Sequence, residues 1–320
     1  MNRPSLVNST VLIVGGAGFI GSHLVDRIQA EGATRIIIVD NLFTGKKENL
    51  YHALSNGAVF HVDNAEDQEV LNYIMEKYDI DIVFNCATKA LNYSFYNPSN
   101  AFLTNVLVLK NLLELQRKQA FQTLCHFSSS EAYGSSQYQP MDEQHPLAPT
   151  TTYAAGKASA DLMLQSYVKM FDLDAFIVRP FNNYGPRQNF EGDLAGVIPL
   201  TIKKILDGDA PEIHGPGQQT RDFIYVEDAV DIATKVFPLI PAGECVNIST
   251  DQQLSIENVV ETIIDVMNYK GKVLRMPNRK ADVISHRGSV KKLQSICGQY
   301  PKTSFKDGIA ATVNWVKDSV

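Results

Sequence analysis

The chain has 320 residues, a length that fits one large domain or two interlocked domains of about 150 residues each. Hydrophobic residues make up 44% of the sequence and charged residues 20%, an ordinary globular composition that excludes a disordered or fibrous chain. The 29 basic and 35 acidic residues leave a net charge of −6. These totals do not supply the basic face that a nucleic-acid-binding protein needs, so we expect no such partner.

The cysteines and the apolar runs indicate the compartment. The four cysteines are far apart and match no metal-binding spacing, so we expect free thiols, no metal and a cytoplasmic protein. No apolar run approaches the roughly 18 residues that span a bilayer, so we expect no membrane segment. The early run VLIVGGAGFIG superficially resembles a signal peptide, but it is short, and its glycines fit a phosphate-binding turn better.

Short β-branched and aromatic runs alternate with segments of helical periodicity through the first 180 residues. This alternation predicts an α/β fold, a Rossmann-type doubly wound parallel sheet covered by helices on both faces. The predicted strands are 11–14, 35–40, 58–63, 81–88, 123–130 and 174–180, and the predicted helices include 66–77, 98–118 and 151–170.

Beyond residue 180, polar loops rich in glycine and proline interrupt the helical segments. A strand-like stretch near residue 245 predicts that the chain returns to the sheet at about 222–250. We therefore divide the chain into a Rossmann-type domain, 1–180, and a smaller, interrupted C-terminal domain, 181–221 and 251–320.

A glycine-rich turn follows the first predicted strand. Gly16, Gly18 and Gly21 match G-x-G-x-x-G, whose glycines let backbone amides approach a pyrophosphate at a helix N-terminus. A plain strand–turn–helix is the alternative, but Asp40 ends the next strand 19 residues after Gly21, where an acid bonds the adenosine ribose. Asn41 follows, and not an arginine that would pair with a 2′-phosphate, which predicts NAD over NADP. The cofactor-binding residues predicted from this region are Gly15, Gly18, Phe19, Ile20, Gly21, Asp40 and Asn41.

Tyr153 and Lys157 stand four positions apart at the head of a predicted helix, so their side chains share one face. An ammonium beside a phenol favours the phenolate and brings the tyrosine pKa down from about 10. A tyrosine and a lysine at this spacing usually have only a structural role. Behind a dinucleotide-binding turn, the same spacing predicts a catalytic pair.

Six motifs extend this pattern over nearly the whole chain: GGAGFIGSHL, VDNLFTGKKENL, SSSEAYG, YAAGK, RPFNNYGPRQ and QQTRDFIYVEDAV. With these six motifs in this order, the chain resembles an extended short-chain dehydrogenase/reductase of the nucleotide-sugar epimerase/dehydratase family. The resemblance implies a tightly held NAD that is recycled in each turnover, a nucleotide-diphosphate sugar as substrate, and a homodimer formed through helices 98–118 and 151–170.

The resemblance also implies roles in a common opening step. Tyr153 would take the proton of the sugar 4-hydroxyl, Lys157 would hold the nicotinamide ribose, and Ser129 would hydrogen-bond the reacting oxygen. Lys89 resembles a lysine near the nicotinamide ribose, with an ordinary surface lysine as the alternative. Asp63 ends the third predicted strand, a place from which it can reach the adenine, with a solvated loop acid as the alternative. The further predicted cofactor contacts are Asp63, Asn64, Ala87, Lys89, Tyr153, Lys157 and Pro180.

On the substrate side, the resemblance implies that Asn182 bonds the diphosphate and that arginines neutralise it. His214 falls where the family places an aromatic residue against the nucleotide base, although a loop histidine without a ligand is equally compatible. We expect His23 and His126 to be structural. The implied substrate-binding residues are Ser130, Asn182, Val197, His214, Arg221, Arg279 and, on a less certain match, Arg287.

Glu131 decides between the reactions of the family. Dehydratases and hexuronate decarboxylases carry a glutamate at this position, whereas 4-epimerases usually have a small residue. A 4-keto group acidifies the C5 proton, and a base near C5 permits elimination of the C6 hydroxyl. We therefore prefer a 4,6-dehydratase. A 4-epimerase, a hexuronate decarboxylase, a net reductase and a non-catalytic dinucleotide sensor remain open, and Glu131 could instead be structural.

Three positions depart from the family pattern. The aspartate that dehydratases use to protonate the leaving hydroxyl is Ser130 here, so Glu131 would serve both steps. The usual HLAA is NCAT at 85–88. Gly156 stands where serine is common, and we expect it to loosen the start of its helix.

Overall fold

Seven parallel strands form the central sheet of the computed structural model, which describes residues 3–277, 283–298 and 302–320. The strands of this sheet and of three small two-stranded sheets are, in chain order, β1 (Thr10–Val14), β2 (Arg35–Asp40), β3 (Val59–Val62), β4 (Ile82–Asn85), β5 (Thr123–Phe127), β6 (Asp174–Pro180), β7 (Asn182–Tyr184), β8 (Glu212–His214), β9 (Thr220–Arg221), β10 (Phe223–Tyr225), β11 (Cys245–Ile248), β12 (Leu254–Ser255) and β13 (Leu274–Met276). The sheet order is β11-β6-β5-β4-β1-β2-β3, so the predicted Rossmann-type fold is confirmed.

Helices cover both faces of this sheet. Alternate residues of β1 enter different cores: Val11 and Ile13 face one cluster, and Leu12 and Val14 face the other. Both faces are buried, which explains why the strands are continuous apolar runs. The helices are α1 (Phe19–Ala30), α2 (Tyr51–Ser55), α3 (Gln68–Lys77), α4 (Pro98–Arg117), α5 (Thr152–Phe171), α6 (Val197–Leu206), α7 (Val226–Val236), α8 (Ile256–Met267), α9 (Lys291–Cys297) and α10 (Phe305–Ser319).

A third apolar cluster is formed by α6, α8, α10 and the short strands β7 and β10. The chain returns to the large sheet through β11, which pairs with β6. The C-terminal segment is shared between the two parts: Leu293 of α9 is buried in the first core, beside α7, although the predicted boundaries assign it to the smaller domain. None of the helices in the described ranges is long and apolar enough to cross a membrane.

Gly156 lies where α5 packs against α4. A Cβ atom at this position would come 2.7 Å from the carbonyl oxygen of Phe102. The start of α5 is also capped, because the Thr151 hydroxyl accepts a hydrogen bond from the Ala154 N–H. The missing side chain of Gly156 therefore permits the close approach of the two helices, and the loosening of the helix start stays a prediction.

We expect Gly156→Ser to lower the free energy of unfolding by about 1–3 kcal/mol, because the added atoms overpack the α4–α5 contact. Chemical denaturation measures this change. Ala155→Ser, at a half-buried neighbouring position of the same helix, is the matched control and should cost less. Equal stabilities of the two variants would contradict the packing argument.

Candidate active site

A cavity of about 530 Å³ runs along the carboxyl ends of the sheet strands, where ligands bind in doubly wound folds. The smaller part of the chain forms its other wall. The predicted site residues that line this cavity are Gly15, Gly18, Phe19, Ile20, Gly21, Asp40, Asn41, Asp63, Asn64, Ala87, Lys89, Ser129, Glu131, Tyr153, Pro180, Asn182, Val197, His214 and Arg221.

The glycine turn is shaped by close backbone contacts. Gly15 has a φ of +78°, a conformation that L side chains rarely adopt. A Cβ atom on Gly21 would lie 2.1 Å from the Gly15 carbonyl oxygen. Gly18 precedes α1 and offers no side chain, so the first N–H groups of the helix face the cavity. The turn thus fits a dinucleotide pyrophosphate.

Asp40 ends β2 beside this turn. Its carboxylate accepts hydrogen bonds from the backbone N–H groups of Ala17 (3.0 Å) and Leu42 (2.8 Å). Burial raises the pKa of Asp40, while these N–H groups and the Lys89 ammonium oppose the rise. The remaining carboxylate lone pairs suit ribose hydroxyl donors.

We expect the protein to bind NAD about a hundredfold more tightly than NADP, because a 2′-phosphate would be placed against the Asp40 carboxylate and like charges cost several kcal/mol. Titration calorimetry of both cofactors measures the ratio. Asp40→Asn should reduce the ratio of NAD affinity to NADP affinity, since the amide removes the charge and keeps one acceptor. Equal affinities in the unaltered protein would refute this role of Asp40.

Lys89 is buried and is not the ordinary surface lysine that we considered. Its ammonium lies 3.8 Å from the centre of the Phe43 ring, a cation–π contact. Burial lowers its pKa, and Glu66 and Asp40 oppose that effect. Lys89 therefore contributes a positive charge close to Asp40.

Tyr153 lies in the first turn of α5. Its backbone N–H donates to the Ser94 hydroxyl (3.0 Å), which fixes the start of the helix over the cavity. Burial raises the pKa of Tyr153 to about 12, hydrogen bonds from Ser129 and Thr88 oppose this rise, and the Glu131 carboxylate adds to it. The phenol is therefore neutral at pH 7, and the depressed pKa that the sequence predicted is not found.

The position of the Lys157 ammonium explains why the pKa of Tyr153 is not depressed. Its ammonium is buried and donates to the Phe127 carbonyl oxygen at 2.7 Å, where β5 ends. Burial lowers the pKa of Lys157 to about 8. Lys157 does not line the cavity as Tyr153 does. Its ammonium must therefore leave the Phe127 carbonyl oxygen before it can stabilise the Tyr153 phenolate.

Glu131 projects from the turn Ser130–Tyr133 that follows β5. Its side chain is 12% exposed and lines the cavity together with Tyr153 and Ser129. The Ser129 hydroxyl caps the turn by accepting a hydrogen bond from the Glu131 N–H at 3.2 Å. Ser130 is buried away from the cavity, so its predicted contact with substrate is not supported.

The opposite end of the cavity carries the predicted substrate contacts. The Asn182 side chain donates to the Asp222 carbonyl oxygen (3.3 Å), and Arg221 lies on β9, immediately before Asp222 in the chain. His214 ends β8, and its imidazole is 3.5 Å from Glu212. Arg221 supplies a cation and Asn182 an amide for an anionic group in this part of the cavity.

The other two predicted arginines have different outcomes. Arg287 forms an ion pair with Asp251 at 2.8 Å and does not line the cavity, so these contacts do not support its assignment to the substrate, which stays a prediction. Arg279 lies outside the described residues. His23 and His126 bond the Pro186 carbonyl oxygen and the Asn85 amide, which fits the structural roles we expected.

Two residues at or beside the site, Thr88 and His286, belong to no motif that we used. The Thr88 hydroxyl, in the departing NCAT segment, donates to Asn105 Oδ1 at 2.8 Å and lies close to Tyr153. His286 is buried with Nδ1 at 4.0 Å from Glu131. The replacement of alanine by threonine at Thr88 was a usable signal. For His286, sequence offered none.

Comparisons with known proteins agree with this geometry. Residues 11–249 match the sequence model of the NAD dependent epimerase/dehydratase family. A provisionally named UDP-glucose 4-epimerase of Methanocaldococcus jannaschii is 34% identical over 97% of this chain and 99% of that protein. UDP-glucuronic acid decarboxylase 3 of Arabidopsis thaliana is 29% identical over 94% of this chain and 87% of that protein. A crystal structure of dTDP-glucose 4,6-dehydratase from Streptomyces venezuelae with NAD bound has a TM-score of 0.91 and 29% identity, and covers 97% of each chain.

Proposed function

The chain belongs to the NAD-dependent epimerase/dehydratase family of nucleotide-sugar enzymes, and we propose that its reaction is 4,6-dehydration with Glu131 as the C5 base. The observation that carries this proposal is the Glu131 carboxyl group in the wall of the cavity that Tyr153 and Ser129 also line. A carboxylate in this place suits proton abstraction from a carbon beside a ketone.

The reaction begins with oxidation of the sugar C4 hydroxyl. Bound NAD supplies the acceptor and later the donor of a hydride. Tyr153 takes the hydroxyl proton, Ser129 donates a hydrogen bond to the same oxygen, and the Lys157 ammonium stabilises the phenolate. The glycine turn and Asp40 hold the cofactor so that it stays on the protein between turnovers.

Glu131 then acts on the 4-keto sugar. It removes the C5 proton, and the proton it has gained leaves with the C6 hydroxyl as water. Its dual use follows from Ser130, which supplies no carboxyl group and does not line the cavity. The sugar diphosphate lies against Asn182 and Arg221, and Val197 and His214 contact the nucleoside.

A second reaction, 4-epimerisation, is favoured by similarity to proteins named UDP-glucose 4-epimerase. It needs the same opening oxidation but no base at C5, so Glu131 would then be structural. Decarboxylation of a hexuronate is supported by similarity to proteins of that name. Retention of Ser129, Tyr153 and Lys157 disfavours a sensor without catalysis.

The test is a panel of UDP-, dTDP-, GDP- and CDP-linked hexoses incubated with the NAD-loaded protein in deuterated water. We expect a product lighter than its substrate by one water and carrying deuterium at C5. Unchanged mass with inverted C4 and no deuterium would identify a 4-epimerase, and release of carbon dioxide a decarboxylase. Stoichiometric consumption of added NADH would identify a net reductase.

We further propose a cytoplasmic homodimer formed through α4 and α5. Leu103 and Leu162, one on each helix, are 40% and 55% exposed, which leaves apolar surface on this pair of helices. Analytical ultracentrifugation tests the oligomeric state, and a monomer at micromolar concentration would refute it.

A further inference from the structure

A fully buried histidine lies beside Glu131. Nδ1 of His286 is 4.0 Å from Oε1 of Glu131, and Nε2 is 2.7 Å from the carbonyl oxygen of Gly134. Gly134 ends the turn that carries Glu131. The segment bearing His286 is held in place by the hydrogen bond from the Gly288 N–H to the Asp222 carboxylate. The imidazole is thus fixed to the same turn whose carboxylate faces the cavity.

The contact with Gly134 settles which nitrogen of His286 bears the hydrogen. A carbonyl oxygen can only accept, so Nε2 is the donor, and in the neutral ring Nδ1 has a bare lone pair. Burial lowers the pKa of His286 to about 4, and the charges of Arg221 and His145 act in the same direction, so the ring is neutral. Nδ1 is buried and has no hydrogen-bond partner among the described residues.

The interaction between this lone pair and Glu131 depends on whether the carboxyl group is ionised or protonated. A carboxylate and a bare nitrogen are both acceptors, so the 4.0 Å contact is no hydrogen bond. A carboxylic acid has a donor, and a shift of about 1 Å would bring Oε1 and Nδ1 to normal hydrogen-bonding distance. The site therefore favours the form of Glu131 that exists only after it has gained a proton.

The acids that line the cavity indicate that Glu131 itself must hold the proton that it removes from C5. Asp40 ends β2, Asp63 and Glu66 follow β3, and Glu212 begins β8. Among the described acids that line the cavity, Glu131 is the one on the turn capped by Ser129, and its charge acts on Tyr153. A proton removed from C5 must then remain on Glu131 until the hydroxyl leaves.

We propose that His286 is a positioning residue for Glu131, and that its Nδ1 accepts a hydrogen bond from the carboxylic acid formed when Glu131 removes the C5 proton. This inference rests on the proposed dehydration. In that step the C5–H bond breaks, its electron pair enters the enolate of the 4-keto sugar, and the proton bonds Oε1. The same proton then leaves with the C6 hydroxyl as water, the electron pair of the enolate forms the C5–C6 double bond, and the carboxylate is restored. C5 takes up a proton, or a deuteron in deuterated water, from solvent when the hydride returns to C6.

Two substitutions separate this role from a structural one. His286→Gln places an amide N–H near the position of Nε2, which keeps a donor to Gly134 and loses the acceptor at Nδ1. His286→Asn places an amide oxygen near Nδ1, which keeps an acceptor for Glu131 and loses the bond to Gly134. The NAD-loaded variants are compared with the unaltered protein, using the hexose panel in deuterated water.

We expect His286→Gln to reduce deuterium incorporation at C5 about tenfold, the scale of one hydrogen bond, with C4 oxidation and the melting temperature near normal. His286→Asn should lower the melting temperature but retain more C5 incorporation per folded molecule than His286→Gln. Normal incorporation in His286→Gln, or an equal loss of C4 oxidation and C5 incorporation in both variants, would overturn the role of His286 alone. An unaltered protein that incorporates no deuterium at C5 with any hexose of the panel would overturn the proposed dehydration and this role with it.

Discussion

Tyr153→Phe is expected to abolish oxidation at C4 while leaving NAD bound. The variant keeps the ring that fills the wall of the cavity and removes the oxygen that hydrogen-bonds Ser129 and Thr88. Removal of a positioned acid–base group costs about a hundredfold to ten-thousandfold in rate. The glycine turn and Asp40 are untouched, so the cofactor affinity should change little.

The structure gives a physical reason for a large effect. Because burial raises the pKa of Tyr153 to about 12, water at pH 7 does not convert this phenol into a base without help. The Lys157 ammonium, now on the Phe127 carbonyl oxygen, is the nearby group that can supply that help. Lys157→Ala should therefore also lose activity and, in addition, weaken NAD binding.

The measurement is the appearance of reduced nicotinamide when the NAD-loaded protein meets the hexose panel, with bound NAD determined by mass spectrometry. Tyr73→Phe removes the hydroxyl of an exposed tyrosine on α3 and is the matched control. Near-normal C4 oxidation by Tyr153→Phe would remove Tyr153 from the mechanism.

The fold was predictable because its determinants are local. Apolar runs such as RIIIVD at 35–40 and the helical periods between them are visible within a few residues, and parallel sheets buried on both faces leave few other arrangements. The dinucleotide site was predictable for the same reason: the glycine turn and Asp40 lie within one β–α–β unit.

What sequence could not provide depends on contacts between distant segments. Arg287 looked like a phosphate ligand, but it forms an ion pair with Asp251 that no motif indicates. Leu293 belongs to the first core because the last third of the chain crosses back over it. The pairing of Glu131 with His286 arises from two segments that no local pattern connects. Each of these contacts is set by tertiary packing and not by propensity or motif.

Glu131→Gln is expected to reduce elimination of water a hundredfold or more while C4 oxidation persists. The amide keeps the size and the hydrogen-bonding capacity of the side chain, but it cannot take up the C5 proton. Loss of a positioned base has this scale of effect. Reduced nicotinamide should therefore accumulate, because the 4-keto sugar is formed and cannot proceed.

Two readings distinguish this outcome from a structural role of Glu131. In deuterated water, the unaltered protein should place deuterium at C5 of a product lighter by one water, and Glu131→Gln should do neither within the same time. Glu76→Gln, an exposed position on α3, is the matched control and should behave like the unaltered protein. Full dehydration by Glu131→Gln would show that its carboxylate is not the base. Loss of C4 oxidation in step with elimination would instead mean that Glu131 shapes the site around Tyr153.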